Sequence, residues 1–134
     1  NLTPNVPGFA GLEAACRWLA GRDVGELHRR QLALRERLAG RLAELSGVRL
    51  WGYEPGAPAV GILSFTVDGR DNGELAAWLD RERGLGLRVG LHCAPAAHRR
   101  LGCFPAGTLR AGIGPFLDER DVDALVAALE EVVR

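Results

Sequence analysis

The sequence predicts an α+β domain: a small, mainly antiparallel four-stranded sheet with helices packed on one face. Three observations lead there. Apolar residues recur at helical spacing in several stretches, most clearly near the C-terminus. Between those stretches lie four short runs rich in Val, Leu, Ile and Thr, bounded by Gly and Pro. The connections late in the chain are short, which favours antiparallel neighbours over parallel crossovers. The order reads ααββαββα, with one short extra helix inside the last ββ connection and no internal repeat or low-complexity segment.

Each element has a local reason. Thr3-Pro4-Asn5-Val6-Pro7-Gly8 is turn chemistry, and a helix is expected from Phe9 to Gly21 with Phe9, Leu12, Ala15, Cys16 and Leu19 on one face. Asp23 is a plausible N-cap for a long helix from Val24 to about Ser46, which Gly47 stops. Leu27, Leu34, Leu38 and Leu45 form its apolar stripe, with arginines and glutamates on the other side. Strands are expected at Val48–Gly52 and Val60–Asp68, separated by the Pro-rich Glu54-Pro55-Gly56-Ala57-Pro58. Asp71 opens the next helix, with Glu74 at capping-box spacing, and that helix buries Leu75, Ala76 and Leu79 before ending near Gly84. Leu85–Gly90 is the third strand and Thr108–Gly114, carrying Arg110, the fourth. Asp118 caps a last helix with Val122, Leu125, Val126, Leu129, Val132 and Val133 facing the core.

Composition narrows the function classes. A chain of 134 residues can bury a core as one domain, and 47% hydrophobic with 25% charged residues is ordinary for a globular protein. Net charge is zero, which gives no reason to expect nucleic acid or an acidic membrane as partner. No apolar run approaches the roughly 20 residues of a membrane span. Three cysteines (Cys16, Cys93, Cys103) do not make a disulfide framework, so free thiols in a reducing cytoplasm are expected. All 17 basic residues are arginine, and nothing in the chain can form a side-chain Schiff base. The absence of methionine, with a start at Asn1-Leu2-Thr3-Pro4, suggests a piece of a longer protein.

The best candidate for chemistry is Leu87-Arg88-Val89-Gly90-Leu91-His92-Cys93-Ala94-Pro95. A strand ends at Gly90, a thiol-bearing turn follows, and Pro95 suits the first position of a short helix running to Leu101 and closed by Gly102. A thiol just ahead of a helix, beside His92 and near Arg88, sits where thiolate is favoured. Arg110, inside an apolar strand, needs an anionic partner if buried. For Cys16 the plain expectation is inert packing, and Cys103 reads as a spectator. A zinc site from Cys93, His98, Cys103 and His92 lacks a Cys-x-x-Cys pair and the usual spacing, so no metal is expected. His28 reads as a solvated residue of the long helix.

Arg88-Val89-Gly90-Leu91-His92-Cys93-Ala94 resembles the Arg-x-Gly-x-His-Cys-Ala loop of group II cysteine desulfurases, which belong with selenocysteine lyases to the class V aminotransferase family. Thr3-Pro4-Asn5-Val6-Pro7-Gly8 is similar to that family's Gly-Thr-Pro-Asn segment. Gly107-Thr108-Leu109-Arg110-Ala111-Gly112 is similar to the strand holding its substrate-binding arginine, and Asp118 to Leu125 resembles the start of its last helix.

The resemblance implies that residues 1–134 are the C-terminal small domain of a pyridoxal 5'-phosphate transferase of fold type I, together with its connecting helices. The large domain with the cofactor lysine would lie elsewhere, leaving this segment inactive alone. It implies Cys93 as the nucleophile that takes sulfur from L-cysteine as a persulfide, releasing alanine. Arg110 would hold the substrate carboxylate, with Arg88 and His92 beside the substrate, and Thr3 would meet the cofactor phosphate of the neighbouring subunit in a cytoplasmic homodimer. A sulfur-acceptor protein, as in iron–sulfur cluster assembly, is the implied partner. Selenocysteine lyase, epimerase or aminotransferase chemistry on the same fold remain open, as does a non-enzymatic small-molecule-binding or dimerisation module.

Overall fold

The computed structural model describes residues 3–133. Helix α1 (Val6–Ala20) starts three residues earlier than the pattern predicts. The Asn5 side chain accepts from the Gly8 amide at 3.0 Å, and Pro7 is tolerated in a first turn whose N–H groups have no helical partner. The expected apolar face of α1 forms, but none of its residues is buried, and Phe9, Leu12 and Leu19 face outward. Cys16, expected to be packed away, is exposed with them. One aromatic contact ties this helix forward, Trp18 against Phe116 at 5.1 Å between centroids.

Helix α2 (Val24–Ala43) begins on Asp23, whose carboxylate accepts from the Glu26 amide at 3.0 Å. Leu34, Leu38, Ala39 and Leu42 go into the core. Arg35, expected on the solvated side, is buried as well. Its Nε donates to the Ile62 carbonyl at 3.0 Å, one terminal nitrogen binds Glu36 at 2.6 Å, and its guanidinium lies over Tyr53. A buried cation is tolerated when its donors are satisfied in this way.

Strands β1 (Val48–Trp51), β2 (Ile62–Val67), β3 (Arg88–Gly90) and β4 (Thr108–Gly112) build one antiparallel sheet in the order β1-β2-β4-β3. Each is a residue or more shorter than the apolar run that predicts it, because turn-forming residues flank the paired segments. Along β2 the side chains alternate, with Leu63, Phe65 and Val67 buried. Leu109 and Ala111 of β4 lie on the same side.

Against that side pack α2, α3 (Asn72–Arg83) and α5 (Glu119–Val133), which contribute Leu75, Leu79, Val122, Leu125, Val126 and Leu129 to one core. Full burial of a side chain such as Phe65 stabilises by roughly 1.5–3 kcal/mol. The Asp71 carboxylate caps α3 through the Gly73 and Glu74 amides, and Gly84 ends it in the left-handed region. Arg37 and Arg41 of α2 bind Asp123 and Glu130 of α5, lacing the two helices along their outer edge. The predicted α+β architecture is therefore present, with its three long core helices on one face of a four-stranded antiparallel sheet. No helix among the described residues is long and apolar enough to cross a membrane.

Candidate active site

The other face of the sheet carries the chemistry. β3 and β4 lie side by side at the sheet margin, with Arg88 directly across from Arg110. Opposite residues of an antiparallel pair project to the same side. Alternation places that side away from Leu109 and Ala111, hence away from the core helices. Arg110 is half-buried and Arg88 exposed. Among the described residues neither has an ion-pair or hydrogen-bond partner, whereas Arg37, Arg41 and Arg83 all engage carboxylates. Two uncompensated guanidiniums on one face make a receptor for a carboxylate or another small anion, which the planar fork can grip bidentately.

β3 ends at Gly90, and the chain turns sharply into α4 (Pro95–Leu101) through Leu91, His92, Cys93 and Ala94. The Ala94 amide donates to the Leu91 carbonyl at 2.8 Å. His92 and Cys93 both have positive φ, 51° and 60°, and they are the described non-glycine residues that do so. Such conformations cost of order 1–3 kcal/mol each and persist only where the surroundings over-determine them. Here the surroundings are specific. Gly107, itself at φ 72°, lies so close to Gly90 that a Cβ on it would sit inside the Gly90 backbone. Gly90 pairs in register with Thr108, and the Thr108 hydroxyl lies 3.1 Å from Nε2 of His92.

This corner aims the Cys93 thiol outward while turning the His92 ring inward. Cys93 is exposed. Nδ1 of His92 is buried without a hydrogen-bond partner among the described residues, so the imidazole is not bonded to the neighbouring thiol. Burial, and then the charge of Arg110, hold the His92 pKa below the usual histidine value; His98 and Arg88 add to the effect. His92 is therefore neutral at pH 7.

One pair at this corner was missed by sequence reasoning. His98, on α4, is buried, and its Nδ1 lies 3.0 Å from Sγ of Cys103, which is buried too. The ring of His98 also packs on that of His92, 5.7 Å between centroids. The signal was present in Gly102, which ends α4 at φ 86°. A left-handed glycine there folds the next residue back on the last turn, as the Cys103 amide does in donating to the His98 carbonyl at 3.0 Å.

The structure thus brings Cys93, His92, Arg88 and Arg110 to one end of the β3–β4 pair. Thr3 lies outside this group, exposed in the segment ahead of α1. Among the described residues, no cluster of three or more His, Cys, Asp or Glu side chains could hold a metal ion.

The aminotransferase class-V family matches residues 2–125 of the chain. The cysteine desulfurase CsdA of Escherichia coli is 34% identical over 131 residues, which are 98% of this chain and 31% of that protein. Its crystal structure, with an S-sulfonic acid, superposes with a TM-score of 0.84, covering 99% of this chain and 32% of that one. The apo cysteine desulfurase of Thermococcus onnurineus NA1 is 31% identical with a TM-score of 0.88, covering 98% of this chain and 32% of that one. A K223A mutant of C-DES, with glycine covalently linked to its PLP cofactor, is 26% identical with a TM-score of 0.70 over 97% of this chain and 30% of that one. The chain therefore spans about a third of the length of these relatives. With its own geometry and a match that runs through nearly all of its length, this chain belongs to the aminotransferase class-V family.

Proposed function

We propose that this chain is the C-terminal domain of a pyridoxal-phosphate-dependent cysteine desulfurase, with Cys93 as its sulfur-accepting nucleophile. The observation that carries the reading is an exposed thiol held in strained backbone at the end of β3, on a sheet margin with two guanidiniums that have no partner among the described residues. Similarity to the desulfurases of Escherichia coli and Thermococcus onnurineus supports it.

The residues suit one half of such a site. Arg110 and Arg88 fit the carboxylate of an amino-acid substrate, and exposed Thr3 would meet a phosphate across a homodimer interface. The chain has no lysine to bind the cofactor covalently, so that group belongs to the rest of the protein, and residues 1–134 alone are inactive. Pyridoxal phosphate, when bound, supplies the electron sink that labilises the bonds of the substrate.

Arg110 orients L-cysteine by its carboxylate, and that fixes where the substrate sulfur lies. The Cys93 thiolate attacks this sulfur. An S–S bond forms, the substrate C–S bond breaks with its electron pair going to carbon, and alanine leaves once that carbon is protonated. The sulfur remains on Cys93 as a persulfide, exposed enough for a second protein to take it. A cytoplasmic acceptor serving iron–sulfur cluster assembly fits that role. Turnover of L-cysteine by the enzyme containing this segment, compared with Cys93→Ser, tests the reading. With a thiol reductant present to release the persulfide sulfur, alanine and sulfide from the parent enzyme and none from the variant are expected; undiminished turnover in the variant would move the chain to another class V reaction.

A further inference from the structure

A continuous line of contacts runs behind Cys93, and substrate binding does not account for it. Sγ of buried Cys103 meets Nδ1 of His98 at 3.0 Å. The His98 ring packs on the His92 ring, and Nε2 of His92 meets the Thr108 hydroxyl at 3.1 Å. Thr108 has no exposed surface and His98 little, so these groups are held inside the fold and not presented to a ligand. Within the line, His92 is bonded through the backbone to Cys93, and both stand in the left-handed region.

The His92 ring is gripped on two sides, by β4 through Thr108 and by α4 through His98. Its backbone, and with it the direction of the thiol, is fixed by that grip. Resting on the desulfurase reading above, we propose that His98 is a positioning residue for Cys93, acting through the His92 ring, with Cys103 holding His98 in turn. Buried between Cys103 and His92, His98 acts on the placement of the attacking sulfur and not on the substrate itself.

The groups facing His92 are Thr108 and Arg110 from β4, Arg88 from β3 and His98 from α4. The test uses the cofactor-loaded enzyme containing this segment and three variants: His98→Ala, His98→Asn, whose amide can still bond Cys103, and Thr108→Val. Two rates are read: kcat and KM for L-cysteine, and the rate at which iodoacetamide alkylates Cys93 as a function of pH, measured on the Cys93 peptide.

The expected result for His98→Ala is a roughly tenfold fall in kcat with KM within about twofold, together with a shifted alkylation profile, and little recovery of either in His98→Asn, which keeps the Cys103 contact but has no ring to pack on His92. Values of kcat and alkylation within about twofold of the parent in a folded His98→Ala enzyme would overturn the proposal. If His98→Ala does not fold, Thr108→Val releases the ring from the other side and decides by the same two rates. Alkylation requires no turnover, so it reports on the position of Cys93 even if Cys93→Ser shows that L-cysteine desulfuration is the wrong reaction.

Discussion

The two ends of α4 each carry a cysteine, ten positions apart, in opposite surroundings. At the N-terminal end Cys93 is exposed, in positive-φ backbone, just beyond a strand pair whose two guanidiniums have no partner among the described residues. At the C-terminal end Cys103 is buried, its thiol held by His98 and its amide by the His98 carbonyl. The first arrangement costs conformational energy and presents a thiol to solvent. The second satisfies every group it can reach and presents nothing. Residue type is the same at both places, so backbone conformation and exposure are what set the presented thiol apart from the packed one.

The comparison breaks most sharply at Cys93. Cys93→Ser is expected to lower L-cysteine turnover by at least about a thousandfold in the enzyme containing this segment, with the fold intact by circular dichroism. Cys103→Ser should leave most of the turnover, since it changes only what holds His98. Next in size is Arg110→Ala, expected to lower kcat/KM for L-cysteine by about a hundredfold, or roughly 2.7 kcal/mol, chiefly through KM. Arg110→Lys should recover little, because an ammonium cannot reproduce a bidentate grip.

A smaller effect lies in the backbone beneath the corner. Gly107→Ala puts a Cβ into Gly90 and forces a positive φ on alanine, so denaturant unfolding should show a loss of about 2 kcal/mol or more. Gly86→Ala, in open space with no positive φ, should be neutral or stabilising by a few tenths of a kcal/mol.

The smallest effect is a pH dependence. His92 has a lowered pKa in the folded state, so the unfolded chain takes up a proton first as pH falls. Its contribution to stability is complete above about pH 6.5 and is lost progressively below it, down to the folded-state value. Thermal melts from pH 7.5 to 5 should show that slope, and His92→Asn should flatten it. A slope unchanged in the variant would assign the loss to other groups.

Much of the corner was legible in the chain itself, because its signals are local. Pro95 at the start of α4 and Gly102 at its end bracket a helix whose observed limits match the expected ones. The strand ahead of Cys93 and the one carrying Arg110 are readable as short apolar runs bounded by glycine. What could not be read depends on distant partners. Arg35 looks like one more solvated arginine on the polar side of α2 until β2 delivers the Ile62 carbonyl to it, 27 positions away. Cys103 looks like a loop residue until the helix end folds it onto His98. The α1 stripe shows the converse: its periodicity called for burial, yet no described residue covers it. Periodicity reports that a face wants a partner and says nothing of where that partner is.

The position of β3 in the sheet has a consequence for how motion is distributed. It is the outermost strand beyond β4, three residues long, bonded on one side only. The core residues of β2, and those of β4 through their pairing with β2, stay held when it detaches, because β2 is bonded to β1 and β4 and not to β3. Amide protons of Val89 and Gly90 should therefore exchange with solvent through a local fraying step, while those of Phe65 and Leu109 wait for the whole domain to open. Cys93 follows directly on the part of the sheet that yields first, so fraying of β3 would loosen the grip on this corner while the domain stays folded.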